Sequence, residues 1–106
     1  MKKRQILMTS AMLYANGSLH LGHMVELVQA DIWARFQRMR GHDIIYVAGE
    51  DAHGTPIMIN AEKQGMDPED FIAKYAAEHQ ADFKDFLISL DEYYTTHSKE
   101  NQALSD

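Results

Sequence analysis

Two histidines and a glycine stand where the sequence predicts the start of a helix. His20 and His23 are three residues apart, so both imidazoles face the same side of the first helical turn. The amino end of a helix attracts anions, because its first N–H groups are unpaired and its dipole is positive there. Gly22 has no Cβ and lets a flat ligand approach the backbone. This combination predicts a nucleotide site, with the histidines donating hydrogen bonds to phosphates and a base over the glycine.

The histidine pair taken alone also allows two other interpretations. Two histidines could belong to a metal site, although the chain has no cysteine to complete a thiolate set. Helices of metal hydrolases usually place their histidines four residues apart with a glutamate between them. The pair could also be two incidental surface residues.

A strand, a turn and a helix are predicted around this pair. The apolar run 6–8, within residues 5–10, predicts a parallel strand that is buried on both faces. Residues 16–18 have turn chemistry. Over residues 21–40, which Gly41 ends, apolar side chains recur every three or four positions and predict a helix with one face in the core. Asp31 and Arg35 are expected to pair on its solvent side. The side chains expected in the core are Met24, Val25, Val28, Ile32, Trp33, Phe36 and Met39.

The second half of the chain repeats the alternation of strands and helices. Residues 44–47 predict a second buried strand, which residues 49–54 leave as a polar loop. Thr55 is expected to cap a short helix that ends at Gly65, and Asp67 is expected to cap the next helix. Residues 93–97 predict a third strand, and Ser98 caps a helix to residue 106 that has no stop signal, as expected of a segment cut from a longer fold. The apolar face of the helix after Asp67 comprises Phe71, Tyr75, His79, Phe83 and Phe86, with His79 interpreted as a packing or surface residue.

This alternation predicts an α/β fold, the first half of a Rossmann-like, doubly wound parallel sheet. About three strands with crossover helices make one unit over residues 1–106. In such sheets ligands lie beyond the carboxyl ends of the strands, and a right-handed crossover brings neighbouring strand exits together. Residues 12–23 and 49–54 are therefore expected to form one site.

Composition excludes several classes of protein. A net charge of −6 argues against a surface that binds a nucleic-acid backbone by itself. The absence of cysteine leaves no disulfide framework, which fits a reducing compartment. The apolar run after Lys2 and Lys3 is interrupted at Thr9 and Ser10, which is untypical of a signal peptide, and no stretch has membrane-spanning length. We expect a cytoplasmic protein without membrane partners.

The stretch 9–23 resembles the signature of the class I aminoacyl-tRNA synthetases, and among them the methionyl-tRNA synthetase family. Residues 38–42 and 49–57 are similar to the next segment of that family, and residues 96–101 continue the likeness, so it covers essentially the whole chain. Leu13 stands where the family usually has proline, and the loop is expected to be less rigid. The signature residues are Leu13, Tyr14, Ala15, Asn16, Gly17, Ser18, Leu19, His20, Leu21, Gly22 and His23.

The resemblance implies that ATP activates methionine as methionyl-adenylate, which then passes to tRNA. It implies catalytic roles for His20 and His23. Implied partners are ATP with Mg²⁺, methionine and tRNA, with no metal ligand in this chain and any zinc site of the family outside it. Asp51 would bind the methionine ammonium, although a capping role or an acid/base pair with Glu50 remains an alternative. The implied ATP-binding residues are Asn16, Gly17, His20, Gly22 and His23, and the implied methionine-binding residues are Ala11, Met12, Tyr14, Asp51 and His53.

Several parts of such an enzyme do not occur in these residues. They are the Lys-Met-Ser-Lys-Ser loop that binds the ATP phosphates, the insertion over the site and the anticodon-binding helices. We therefore expect the N-terminal half of a catalytic domain that is inactive alone. The alternatives are an isolated, non-catalytic nucleotide-binding fragment, or a small adenylyltransferase, whose Ser/Thr-rich loop ending in arginine is not found here.

Overall fold

A computed structural model describes residues 2–106 as a parallel β-sheet with crossover helices. This is the α/β architecture that the sequence predicts. The strands are β1 (Gln5–Thr9), β2 (Leu13–Tyr14), β3 (Asp43–Asp51) and β4 (Glu92–Thr95), and the helices are α1 (Leu21–Met39), α2 (Thr55–Lys63), α3 (Pro68–Asp85) and α4 (Lys99–Ser105).

Strand β3 lies at the centre of the sheet and is longer than the predicted run 44–47. β1 and β2 follow one another along one edge of β3, with Leu7 opposite Ile45 and Tyr14 opposite Asp51. β4 lies along the other edge, and all pairings are parallel. The sheet therefore has the expected three positions, but the first is interrupted and occupied by two short strands.

Helices α1 and α3 cover one face of the sheet. Alternate β3 residues, such as Ile44 and Tyr46, face this layer and are buried. Leu27 of α1 and Phe83 of α3 pack together with Leu13 of β2 in one core cluster. A second cluster, around Ala15, Ile57, Phe71 and Tyr75, joins the signature loop to α2 and α3. The core thus lies directly beneath the segment that carries the histidine pair.

The prediction of which face of α1 is buried is wrong. Ile32, Phe36 and Met39 are 60%, 54% and 86% exposed, and Trp33 is 44% exposed. The prediction used only the spacing of apolar residues. A buried helix face can also include a charged side chain when the hydrogen bonds of that side chain are satisfied. Asp31 is buried, where its carboxylate accepts from the Ser89 N–H (2.7 Å) and from Arg35. The expected Asp31–Arg35 pair forms, but its carboxylate lies inward. The buried residues of α1 are Met24, Leu27, Asp31, Ala34 and Gln37.

The expectation that the strands are buried on both faces is also wrong for the described residues. Leu7 and Ile45, on the face opposite α1, are 70% and 56% exposed. Met12 and Tyr94 on the same face are half exposed. Strands of a parallel sheet are usually continuous apolar runs because helices cover both faces of the sheet. In residues 2–106 the helices cover one face, so the apolar side chains of the other face are exposed.

Helix ends agree with the predicted capping residues in two cases out of three. Asp67 accepts from the Glu69 N–H and Ser98 accepts from the Asn101 N–H, as predicted. Gly54, with φ +124°, is the N-cap of α2, so Thr55 is inside the helix and does not cap it. Phe86, expected on the buried face of α3, follows the helix and is 56% exposed. β4 begins at Glu92 and ends at Thr95, short of the predicted His97. None of the helices in residues 2–106 has the length and apolar character needed to cross a bilayer.

Candidate functional site

His20 and His23 cap helix α1 reciprocally. The His23 N–H donates to Nδ1 of His20 (3.4 Å), and the His20 N–H donates to Nδ1 of His23 (3.1 Å). The two rings stack with centroids 3.7 Å apart and an interplanar angle of 20°. This is the geometry of a capping box, with imidazoles in place of the usual Ser/Thr and Glu side chains. The predicted pairing of the two histidines on the first turn is confirmed.

The capping bonds determine what each ring can offer a ligand. A neutral imidazole has one donor and one acceptor nitrogen, and Nδ1 accepts in both rings, so Nε2 carries the hydrogen. Burial lowers the pKa of His23, and the neighbouring His20 and His79 lower it further against the opposing effect of Glu26. The first turn contains no acidic side chain. Two N–H donors and the positive end of α1 therefore lie together, as an anion site requires.

Gly22 makes room for one of these imidazoles. A Cβ at this position would lie 2.9 Å from Cε1 and 3.1 Å from Nδ1 of His20. Any larger residue would therefore push the ring away from the cap. The glycine lets the His20 ring approach the backbone, whereas the expectation placed a base there.

The signature loop before the histidines is held by side chains from other elements. The side-chain oxygen of Asn16 accepts from Asn60 of α2 (2.9 Å), and the carbonyl of Gly17 faces Nε2 of His79 (2.6 Å). Ala15 is fully buried. Asn16 and Gly17, expected to bind ATP, thus have protein partners that position the turn. Leu13 is packed in the core of the sheet.

The signature loop and the end of β3 meet, as the topology predicts, although residues 49–51, expected in the loop, belong to β3. The Ala15 N–H donates to the Asp51 carbonyl (2.9 Å), and the hydroxyl of Tyr14 donates to the His53 carbonyl (3.0 Å). A Cβ on Gly54 would lie 2.6 Å from that hydroxyl, so glycine is required for the approach as well as for its positive φ. The signature loop and the segment 49–54 therefore form one surface at the carboxyl edge of the sheet.

Asp51 and Glu50 point to opposite faces of β3. The Asp51 side chain is exposed, and its Oδ1 accepts from the His53 N–H at 3.3 Å. Glu50 is fully buried on the side of the helices. The two carboxylates therefore cannot act as one acid/base pair, and that alternative is wrong. The contact with the His53 N–H supports the capping role considered for Asp51. The second carboxylate oxygen, Oδ2, can contact a ligand.

Four of the five residues expected to bind methionine, Met12, Tyr14, Asp51 and His53, lie on the same side of the sheet near the end of β3. Tyr14, Asp51 and His53 share the junction just described. Met12 lies on the uncovered face of the sheet, where its methyl group approaches the backbone at Gly49. Ala11, directly before it, is exposed.

A hollow of about 200 Å³ opens beside the histidine cap. A larger one of about 720 Å³ lies at the opposite end of the sheet, among residues such as Leu7 and Ile45. Ligands of parallel sheets bind at carboxyl ends, where the hollow beside the histidine cap lies together with another of about 550 Å³ at His53 and His97. Residues 2–106 contain no group of three His, Cys, Asp or Glu side chains able to hold a metal ion. The hollow beside the histidine cap is lined by Tyr14, Asn16, Gly17, Ser18, Leu19 and His23.

Sequence reasoning missed the pair formed by Glu50 and His79. Both side chains are fully buried, and Nδ1 of His79 contacts Oε1 of Glu50. Two features of the sequence could have predicted this buried pair. Glu50 alternates with Ile44 and Tyr46 along the inward face of β3, and His79 continues the inward positions of α3. A polar residue on each of two inward faces indicates a buried pair.

Comparisons with known proteins identify the family. The sequence model described as "tRNA synthetases class I (M)" matches residues 6–106. A structure of Mycobacterium tuberculosis methionyl-tRNA synthetase in complex with methionyl-adenylate superposes with a TM-score of 0.92 and 25% identity over 96% of this chain. A second structure of that enzyme bound by methionyl-adenylate gives 0.88 and 25% identity over 98% of this chain. The chain spans 20% of the length of each.

The resemblance found in the signature stretch and the Rossmann-like parallel sheet are thereby confirmed together. The histidine cap and the segment 49–54 lie within the matched residues. The chain belongs to the class I tRNA synthetase family of the methionyl type.

Proposed function

We propose that residues 1–106 form half of the nucleotide-binding catalytic domain of a methionine–tRNA ligase. The observation that carries this proposal is the histidine cap of α1, directly beside the junction of the signature loop with residues 49–54. In this proposal the Nε2–H groups of the cap would bind an anion and the exposed Asp51 carboxylate would bind a cation at the same edge of the sheet. Methionyl-adenylate, present in the two mycobacterial structures, carries an ammonium group and a phosphate that such a site would bind.

In the proposed reaction, a carboxylate oxygen of methionine bonds to the α-phosphorus of ATP as the bond from that phosphorus to the bridging oxygen of pyrophosphate breaks. Negative charge moves onto phosphate oxygens as this happens. The Nε2–H groups of His20 and His23, together with the positive end of α1, would donate to these oxygens. Removing one such donor typically costs about 3 kcal/mol of barrier.

Asp51 would hold the amino acid. Its exposed carboxylate can pair with the methionine ammonium through Oδ2, while Oδ1 remains on the His53 N–H. Tyr14 and His53, which meet at the same junction, would line the amino-acid side of the site. This arrangement would direct the carboxylate of methionine toward the phosphorus.

The remaining substrates follow from the same proposal. Mg²⁺ would enter as MgATP, bound by the phosphates of the nucleotide. Transfer of the methionyl group to tRNA would use surfaces beyond those described, since this chain is acidic overall. Charging of tRNA belongs where translation takes place, so we propose the cytoplasm.

The substitution Asp51→Asn tests the amino-acid role. Asparagine keeps an oxygen for the His53 N–H but removes the charge, so we expect the KM for methionine to rise about tenfold or more while the KM for ATP changes less than threefold. ATP–pyrophosphate exchange should be measured in the complete polypeptide that carries these residues. The control is Asp43→Asn, which removes a surface ion pair with Lys3 at the other end of β3. An unchanged methionine KM in Asp51→Asn would refute the assigned role.

A second function has one observation in its favour. The chain covers 20% of the matched synthetases, and the histidine cap is complete within it. On its own the chain could bind a nucleotide weakly without catalysis. Titration with ATP, followed by the amide signals of residues 20–23, would detect such binding. No observation favours the small adenylyltransferase.

A further inference from the structure

Behind the signature loop lies a buried, hydrogen-bonded histidine that the proposed chemistry does not use. His79 of α3 is fully buried, with Nδ1 on Oε1 of Glu50 and Nε2 2.6 Å from the carbonyl oxygen of Gly17. The three residues come from α3, β3 and the signature loop. They are 62 positions apart at the widest separation.

The partners of His79 determine where its protons lie. A carbonyl oxygen only accepts, so Nε2 must carry a hydrogen and donate it to Gly17. One further proton lies between Nδ1 and the Glu50 carboxylate. Burial disfavours the charged form of His79, but its hydrogen bonds to Glu50 and Gly17, with the charges of Glu50 and Glu78, outweigh this and raise its pKa. His79 thus donates from Nε2 to Gly17 and shares a proton with Glu50 at Nδ1.

Other titratable groups surround this pair. Tyr93 of β4 lies next to Glu50, and burial together with that carboxylate raises the pKa of its hydroxyl. Tyr75 is one turn before His79 on α3, with ring centroids 6.5 Å apart. His23 of α1 is close enough for His79 to lower its pKa. The second Glu50 oxygen and the Tyr93 hydroxyl have no hydrogen-bond partner in residues 2–106 that meets normal geometry.

Stability alone does not account for a buried pair of this kind. Removing two charges from water costs several kcal/mol per ion, and apolar side chains of similar volume often stabilise a core as well or better. A buried pair can instead specify one arrangement among several. Here the histidine's second donor holds the backbone turn three residues before His20.

We propose that His79 is a positioning residue for the nucleotide site: its Nε2–H holds the Gly17 carbonyl, and so fixes the turn from which the His20–His23 cap begins. This inference rests on the proposed function for its consequence in catalysis. The predicted effect on the mobility of the signature loop depends only on the contacts of His79. Asn60 supports the same turn from α2, so loss of His79 loosens the loop without releasing it.

Two substitutions separate the two hydrogen bonds of His79. The amide nitrogen of glutamine is as many bonds from Cα as imidazole Nε2, so His79→Gln keeps the donor to Gly17 and loses the one to Glu50. The amide nitrogen of asparagine corresponds to Nδ1, so His79→Asn keeps the donor to Glu50 and loses the hydrogen bond to the Gly17 carbonyl. The control is Ile44→Ala, which shrinks a buried side chain of β3 in a core cluster that contains none of residues 13–23.

Two measurements on the complete polypeptide test the proposal: amide hydrogen exchange of residues 13–23, and the KM for ATP in ATP–pyrophosphate exchange. We expect His79→Gln to stay within threefold of wild type in both. His79→Asn should accelerate exchange and raise the ATP KM about tenfold, with a smaller change in kcat. Ile44→Ala should lower the melting temperature without changing either.

Equal behaviour of the two His79 variants, or behaviour like that of Ile44→Ala, would overturn the proposal and leave His79 a residue of the core. If the wild-type polypeptide shows no ATP–pyrophosphate exchange, the proposed function fails. The hydrogen-exchange comparison of His79→Gln with His79→Asn then decides by itself whether His79 positions the turn.

Discussion

Three imidazoles near the signature loop make different hydrogen bonds because their partners differ. His20 and His23 accept backbone N–H groups at Nδ1, whereas His79 donates from Nε2 to Gly17 and shares a proton with Glu50 at Nδ1. The sequence predicted the place of the first two, because their partners lie three residues away on one helical turn. It could not predict the state of His79, whose partners Gly17 and Glu50 are 62 and 29 positions distant and come from other elements.

The raised pKa of His79 makes stability depend on pH in a defined direction. The folded chain binds this proton more tightly than the unfolded chain, whose histidines titrate near about 6.5. The stabilising contribution is therefore complete below that value and is lost as pH rises through the folded pKa of His79. We expect the unfolding free energy of wild type minus that of His79→Gln to decrease between pH 6 and pH 9 in urea titrations. A difference independent of pH would contradict this.

The lowered pKa of His23 acts in the opposite direction. The unfolded chain protonates His23 more readily, so its contribution is present above about pH 6.5 and is lost as pH falls through the folded value. Protonation would remove the Nδ1 acceptor from the His20 N–H and open the cap. Histidine NMR should show His23 titrating below about pH 6.5, the value for an unfolded histidine. Titration of His23 above that value would be evidence against a neutral cap.

Gly22→Ala should separate the cap from the stability of the helix. Alanine favours a helix by about 1 kcal/mol over glycine, while displacement of His20 from its cap costs about the same. We therefore expect an unfolding free energy within about 0.5 kcal/mol of wild type but a kcat/KM for ATP reduced on the order of 100-fold. Wild-type ATP–pyrophosphate exchange in this variant would show that the position of His20 does not matter.

At the scale of elements, the order of strands and helices was predictable and the buried faces were not. Apolar runs and capping residues such as Asp67 and Ser98 act within a few residues, so they can be recognised from the sequence alone. Helix α1 has apolar residues on two sides, and its tertiary partners select the side of Leu27. Asp31 lies on that side because Ser89, 58 positions away, supplies its hydrogen bonds.

Paired substitutions on α1 test which side is buried. Leu27→Ala should lower the unfolding free energy by about 3 kcal/mol, because Leu27 is 2% exposed and its loss leaves a cavity. Ile32→Gln, at a side chain that is 60% exposed, should change it by less than about 0.5 kcal/mol. Urea titrations of the two variants provide the comparison. A large loss in Ile32→Gln would mean that the outer face of α1 is covered in solution.

At the scale of the whole molecule, the described chain is a thin slab measuring 55 × 35 × 17 Å. Its radius of gyration is 15.7 Å, whereas a compact domain of this size has about 13 Å. It exposes 7165 Å², against about 6,000 Å² for a compact monomer of the same mass. The excess includes the bare sheet face around Leu7 and Ile45 and the outer side of α1. Sequence patterns could not predict this exposed area, because they identify apolar faces but not the elements that pack against those faces.

The slab geometry leads to a prediction for the 106-residue chain by itself: it should be marginally stable, prone to associate, and unable to charge tRNA. Exposed apolar strands and helix faces favour association. The acidic surface offers few cations to a tRNA backbone, and the Lys-Met-Ser-Lys-Ser loop implied by the family does not occur in these residues. Sedimentation velocity should show oligomers at micromolar concentration, urea titration a broad transition at low urea, and a charging assay no methionyl-tRNA. A monomer with a sharp transition and measurable methionyl-tRNA would refute this account of the chain.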